Sequence, residues 1–260
     1  MSHISDIYCN EIYGNLHPLY GNWEPSQPIL LGDFGTLQGR IFVRLGSLRG
    51  LGINFGVRSD SKKDQKYFAS SGNTEVKFNA AGAAPVGGAV NLKANVEVDF
   101  SSERAVFFNA ADCEYSMIED KVTLGNEIMD RYRKGTWQRG WTVVTDLIKA
   151  GSTTVAVSGA STASIVLEAT GNVPNINLAD ASIGLSTKFA KNVGYQVVAA
   201  DGLIPLFGLS RIRPRFLWFD DNFRPLSMAF ANRALLETLE NSAEVQTEGS
   251  EKELIFAQVD

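Results

Sequence analysis

The chain has 260 residues, with 24 Lys or Arg, 29 Asp or Glu, two His and two Cys. This composition is that of a globular chain of one large or two small domains, and the two cysteines, Cys9 and Cys113, exclude a disulfide scaffold. Residues 1–220 are charge-balanced; residues 221–260 set three basic residues (Arg224, Arg233, Lys252) against eight acidic ones, so the whole net charge of −5 lies there. That is not the profile of a nucleic-acid binder.

Residues Met1–Ile7 carry neither a basic nor an apolar leader pattern, and no apolar run reaches the length of a membrane helix. The expected location is therefore the cytoplasm. Residues 1–28 mix Tyr8, Tyr13, Tyr20 and Trp23 with Pro18, Pro25 and Pro28, which predicts an irregular lead-in with at most a short helical turn. From Ile29 to Val57, short apolar runs broken by Gly predict short strands and tight turns. Ser59–Lys66 reads as a polar loop.

The strongest periodicity follows. In residues 86–100 Val90, Leu92, Val96, Val98 and Phe100 alternate with Asn91, Lys93, Asn95, Glu97 and Asp99, a two-residue period that predicts one long strand. Its expected partner is either Tyr67–Ala80 or Arg104–Ala110. Residues 117–133 change to helical spacing, with Ile118, Val122, Met129 and Tyr132 widened by Leu124 and Ile128, and Lys134-Gly135 ends the element. A strand pattern returns at Trp141–Thr145. From Thr153 to Ala169, Val155, Val157, Ile165 and Leu167 alternate with small and polar residues; Ile176, Leu178, Ile183, Leu185 and Phe189 follow the same habit. Gly202–Leu209 predicts an apolar strand broken by Pro205, with Arg211, Arg213 and Arg215 on one face if it continues. Pro225, Leu226, Phe230, Leu235 and Leu239 describe an amphipathic helix, and Leu254–Val259 a short terminal strand. The expected fold is α+β: a mostly antiparallel, twisted β-sheet with long hairpins, a central helix and a C-terminal helix. Residues 1–220 form its body and residues 221–260 an acidic tail.

Catalytic chemistry finds no support. His3 and His17 lack metal partners at regular spacing, and no Gly-x-Ser-x-Gly or Walker A pattern occurs. Gly50–Gly56 is only superficially a dinucleotide loop, because its third glycine is late and no helix pattern follows. Glu119-Asp120 and Asp220-Asp221 are adjacent and diverge, and Cys113 reads as a small buried residue. A non-enzyme without cofactor or metal is expected. The alternating segments leave two explanations: a soluble β-rich domain, or membrane strands, which need nine to eleven residues with one apolar face.

The order of these segments resembles the gasdermin pore-forming domain over about residues 74–216: an alternating hairpin, the helix at 117–133, a strand with Val143-Val144-Thr145-Asp146, a second alternating hairpin, and Gly202–Ile212 as closing strand. The bacterial branch is nearer in size. The resemblance implies a homo-oligomeric β-barrel pore acting on membrane lipids, held inactive by a C-terminal segment that a protease removes. The tail residues Leu226, Phe230, Leu235 and Leu239 would make the autoinhibitory contacts. It also implies a lipidated cysteine near the N-terminus, for which Cys9 in Ile-Tyr-Cys-Asn is the available position, against an unmodified thiol. Arg131, Arg133, Lys134, Arg211, Arg213 and Arg215 are the candidate headgroup contacts. The alternative function is a soluble, non-enzymatic binding or assembly protein whose tail mediates subunit contacts.

Overall fold

The computed structural model describes residues 3–60, 63–80, 94–169, 176–199, 202–214 and 254–259. The chain opens with a full helix, α1 (Ile4–Leu16), where an irregular lead-in was expected. Ile4, Tyr8, Ile12 and Leu16 recur every four residues and put one apolar stripe on the core. The Asp6 carboxylate accepts the His3 N–H at 3.2 Å and closes the first turn. Then come β1 (Tyr20–Gly21), the hairpin of β2 (Asp33–Gln38) and β3 (Ile41–Ser47), a 3₁₀ turn at Arg49–Leu51, and β4 (Val57–Ser59). Part of the expected polar loop at 59–66 is strand: β5 (Asp64–Ala69) begins within it, followed by β6 (Thr74–Ala80).

The alternating run appears as β7 (Ala94–Phe100), paired with β6; Val90 and Leu92 lie outside the described residues. The longest strand, β8 (Val106–Ile118), takes Ile118 out of the expected helix. That helix, α2 (Lys121–Arg133), starts where the Asp120 carboxylate accepts the Thr123 N–H at 2.9 Å. Its buried stripe is Leu124, Gly125 and Ile128; Val122 points outward at 76% exposure. Next are β9 (Thr142–Ala150), β10 (Ser152–Ser158) and β11 (Ser164–Ala169), so the segment 153–169 is two strands with a turn between. The chain continues with β12 (Leu185–Lys191), β13 (Val193–Ala199) and β14 (Leu203–Pro214). Pro205 does not break β14; a register shift absorbs it between Leu203 and Leu206, and its carbonyl accepts the Asn22 N–H at 2.8 Å. The terminal strand, β15 (Leu254–Gln258), pairs with β14. The fold is thus mostly antiparallel β-sheet with two helices among the described residues. Arg215 and the expected tail helix with Leu226, Phe230, Leu235 and Leu239 lie outside them.

Four lines of chain give the architecture: β4–β5–β6, β7–β8, β9–β10–β11 and β12–β13–β14. Within the main sheet, β8 pairs with β4 and β5 on one flank and with β9 and β10 on the other; β14 and β13 pair beyond those. Their continuations make a separate four-stranded sheet in the order β6-β7-β11-β12, the same lateral order. Between the second and third lines one register holds throughout, from Asn95↔Glu168 through Val106↔Val157 to Met117↔Asp146. The small sheet turns back and packs its apolar face on the main sheet, joining Val96, Val98, Ile165 and Leu167 with Phe107 and Ala156 in one core cluster. On the opposite face of the main sheet, α1 seats Tyr8, Cys9 and Ile12 against Phe108, Val155 and Val157. β10 lies between these layers, and every residue in it is buried.

Candidate functional site

The small sheet has two chemically distinct faces because its strands alternate. On the inner face Val76 pairs with Val98 and Val98 with Ile165; Phe78 pairs with Val96 and Val96 with Leu167. Val96, Val98, Ile165 and Leu167 have no solvent exposure. Residues Glu75, Lys77, Glu97, Asp99 and Glu168 occupy the alternate positions, so they stand on the other face. Lys77 bonds Asp99 at 3.0 Å and lies 3.3 Å from Glu75, and these hydrogen-bonded carboxylates raise its ammonium pKa. At the outer ends of this sheet, among the described residues, β6 pairs only with β7 and β12 only with β11, and Phe78 and Phe189 are 58% and 52% exposed.

The four lines turn at a common level, between residues 70 and 73, 101 and 105, 159 and 163, and at 192. Gly72 (φ 72°), Arg104 (φ 72°) and Asn192 (φ 53°) adopt left-handed backbone there. Gly159 is required by close approach, since a Cβ would stand 3.0 Å from the Asn192 carbonyl oxygen. Two serines stitch the corner. The Ser158 hydroxyl donates to the Ser102 carbonyl at 2.7 Å and accepts the Ala105 N–H at 2.9 Å. The Ser70 hydroxyl donates to the Glu11 carboxylate at 3.0 Å and accepts the Val106 N–H at 2.9 Å, tying α1 to the turn.

At the other end of the main sheet, β15 covers the free side of β14 from Ser210↔Gln258 to Pro214↔Leu254. Phe256 lies over α2 at Gly125, where a Cβ would come within 3.2 Å of the Phe256 Cβ. Val259 is buried and its N–H donates to the Leu209 carbonyl at 2.9 Å. Near the start of α2, Asp146 is a buried hub. Its carboxylate accepts from the Tyr115 hydroxyl, from Lys121 Nζ at 2.7 and 2.8 Å, and from the Thr145 hydroxyl at 2.8 Å. Thr145 in turn lies 3.0 Å from the Ser210 hydroxyl. The first residue of α2 is therefore bound to the centre of the main sheet.

The other expected site residues are dispersed. Cys9 is fully buried, its Sγ donating to the Gly21 carbonyl at 3.6 Å, and burial pushes its thiol pKa up to about 12. This conformation does not present the thiol to an acylating group. Val155 and Val157 are buried under α1 in the main sheet, apart from the small sheet that holds Val96, Val98, Ile165 and Leu167. Arg131 pairs with Glu127 at 3.0 Å and donates to the Leu51 carbonyl; Arg133 pairs with Asp130 at 2.9 Å; Lys134 caps α2. Arg211 is exposed and Arg213 half-buried on β14, distant in sequence from the α2 cations. His3 Nδ1 lies 2.7 Å from the Ser5 hydroxyl and His17 meets the Tyr13 ring edge-on, both local contacts. Among the described residues no cluster of His, Cys, Asp and Glu could hold a metal. A half-open hollow of about 150 Å³ beside Asn22, Trp23 and Phe207 is smaller than a usual small-molecule site.

Three features escaped sequence reasoning: the corner serines Ser70 and Ser158, the Asp146 hub, and the buried Asn109 on β8. Only Asp146 carried a signal, an acid within an otherwise apolar run. No helix among the described residues is long and apolar enough to cross a membrane. No protein family and no curated protein matches the chain.

Proposed function

We propose that the protein permeabilises membranes in the manner of the gasdermins, with the small sheet as the membrane-inserting unit and the C-terminal strand as its restraint. The observation that carries this reading is the folded-back ribbon. Two strand pairs, β6–β7 and β11–β12, lie side by side with described arms of six or seven residues. The chain segments 74–100 and 164–191 are long enough for two arms of the nine to eleven residues a tilted membrane strand needs. Their apolar face packs on the main sheet and on Leu178, and their polar face is already formed.

The energetics of release favour a lipid destination. Exposing Val96, Val98, Ile165 and Leu167 to water costs roughly 1.5–3 kcal/mol each, or about 6–12 kcal/mol together. That is comparable with the whole stability of a domain, so the hairpins stay folded back in water. In a bilayer the apolar face is satisfied by acyl chains, and only the backbone edges still need partners. The outer edges of β6 and β12, which have no further strand beside them among the described residues, supply them if successive copies pair edge to edge into a closed barrel, which is the only sheet lipid tolerates. The restraint is β15, which pairs with β14 and holds α2 through Phe256.

The test is dye release from liposomes by the intact protein and by a form ending at Phe219. Release by the shortened form alone is expected. Equal inactivity of the two, with the shortened form still folded by circular dichroism, overturns the reading. A second reading, a soluble assembly protein, draws on the same outer edges: pairing between copies would bury them without a membrane, and would yield a stable oligomer in solution and no release.

A further inference from the structure

Within the connection between β11 and β12, residues 176–184 lie against the main sheet and make contacts that no surface connection needs. Leu178 is buried in the cluster that joins the two sheets, alongside Phe107 and Ala156, with Ile176 packed beside it. Its backbone carbonyl accepts the Asn109 side-chain N–H at 2.9 Å. Asn109 is 1% exposed, in the middle of β8, and its own carbonyl accepts from the Gln65 side chain of β5 at 2.5 Å. A buried carboxamide aimed out of a sheet face must be given partners, and this one takes them from an edge strand and from the hairpin connection. Ala181 then rests against the kink between β9 and β10: a Cβ on Gly151 would stand 2.9 Å from the Ala181 Cβ. Within the segment, Asn177 accepts the Ala179 N–H at 3.0 Å and Asp180 accepts the Ser182 N–H at 2.9 Å, which fixes its shape before it docks.

We infer that residues 176–184 are a clasp, docked through Leu178 on Asn109 and through Ala181 on Gly151, and that undocking it is the step that frees the small sheet as one unit. The second hairpin cannot leave the main sheet while its own connection is held there. Because β11 pairs with β7, the first hairpin is held by the same contact. The clasp stands on the fold alone; its bearing on membrane activity rests on the function proposed above.

Hydrogen exchange of the full-length protein in solution tests it. Asn109→Ala removes the donor to Leu178, and Ala181→Glu crowds the second contact without altering a sheet residue. In each variant, exchange in β6, β7, β11 and β12 is expected to quicken together by on the order of tenfold, the effect of one lost buried hydrogen bond. Amides in β9 and β14 should keep their wild-type rates. Uniform acceleration of both sheets, or acceleration confined to 176–184, overturns the clasp. If Asn109→Ala fails to fold, Ala181→Glu decides by the same readout. Dye release by variants ending at Phe219 separates the two proposals: clasp variants that open the small sheet in solution yet never release dye sink the membrane reading and leave the clasp intact.

Discussion

Replacing Asp146 with Asn probes the contact on which the junction of α2, β8, β9 and β14 depends. The carboxylate is 2% exposed and receives four hydrogen bonds from three side chains, while its ionic partner Lys121 is 34% exposed. Breaking a fully buried pair costs about 3–5 kcal/mol, chiefly by stranding the remaining charge. Here the stranded ammonium can still reach water, so most of that penalty is relieved for Lys121. What remains is the lost charge-assisted bonding and an Asn amide N–H₂ forced toward the donors of Tyr115, Lys121 or Thr145. A loss of about 2–3 kcal/mol is the expected sum. Lys121→Met is expected to cost a similar amount, because it leaves a buried carboxylate with two hydroxyl donors. The double variant should cost clearly less than the two single losses together. Urea unfolding at pH 7, read as midpoint shifts at constant slope, gives all three values. Strict additivity, or a change below about 0.5 kcal/mol for Asp146→Asn, would refute the hub as a coupled unit.

Other outcomes follow from single observations. The Thr154 hydroxyl is buried without a partner among the described residues, so Thr154→Val should raise stability by about 1 kcal/mol in the same unfolding assay; a fall would mean the hydroxyl has a bonding role. Gly125→Leu should lift Phe256 from α2 and speed exchange of the Val259 N–H, with little change in the small sheet. Burial raises Cys9 to about 12 and Cys113 to about 11 from 9.0, so both thiols hold protons in the fold that the unfolded chain releases first. Their contribution is complete below pH 9 and declines as pH climbs toward 11–12, at roughly 1.4 kcal/mol per unit per group. Cys9→Val should flatten the fall in urea midpoint between pH 8 and 10.5, and an unchanged slope would contradict it.

The parts of this fold that face water on one side were legible in the sequence. β7 alternates cleanly because Asn95, Glu97 and Asp99 sit opposite the packed face, and β15 stood out as an apolar run after an acidic stretch. β10 gave a false impression of a polar face: Ser152, Thr154 and Ser158 are small enough to be buried under the small sheet, and period-two reasoning assumes that polar means exposed. The same covering hid the break at 159–163, since apolar residues resume in phase beyond the corner. β5 was concealed for the opposite reason, being an edge strand whose Asp64, Gln65 and Lys66 look like loop residues. In α1 the stripe is partly aromatic and is followed at once by proline, which masked a regular four-residue spacing. The clasp and the Asp146 hub depend on partners 69 and 25 residues away, beyond any local pattern.

The registers at the corner make the proposed rearrangement specific. Between Asp99↔Ser164 in the small sheet and Val106↔Val157 in the main sheet, six residues intervene on each strand. Straightening there can extend the ladder without slippage. On either side the numbers differ: residues 70–73 face 101–106, and residues 159–163 face Asn192 alone. The outer strands must therefore keep bulges, whereas the central pair can become one continuous ladder from Asn95 to Met117. Continued at that register, Ser102 would stand opposite Ser161, a separation at which a disulfide forms readily. In the folded-back state the Ser102 carbonyl is instead occupied by the Ser158 hydroxyl. Cysteines placed at 102 and 161 are expected to cross-link in the form ending at Phe219 on liposomes and to stay reduced in the intact protein in solution. Both native thiols are buried, which keeps the readout clean. Efficient cross-linking in solution, or none on membranes that are releasing dye, would show that the central pair does not straighten in this register.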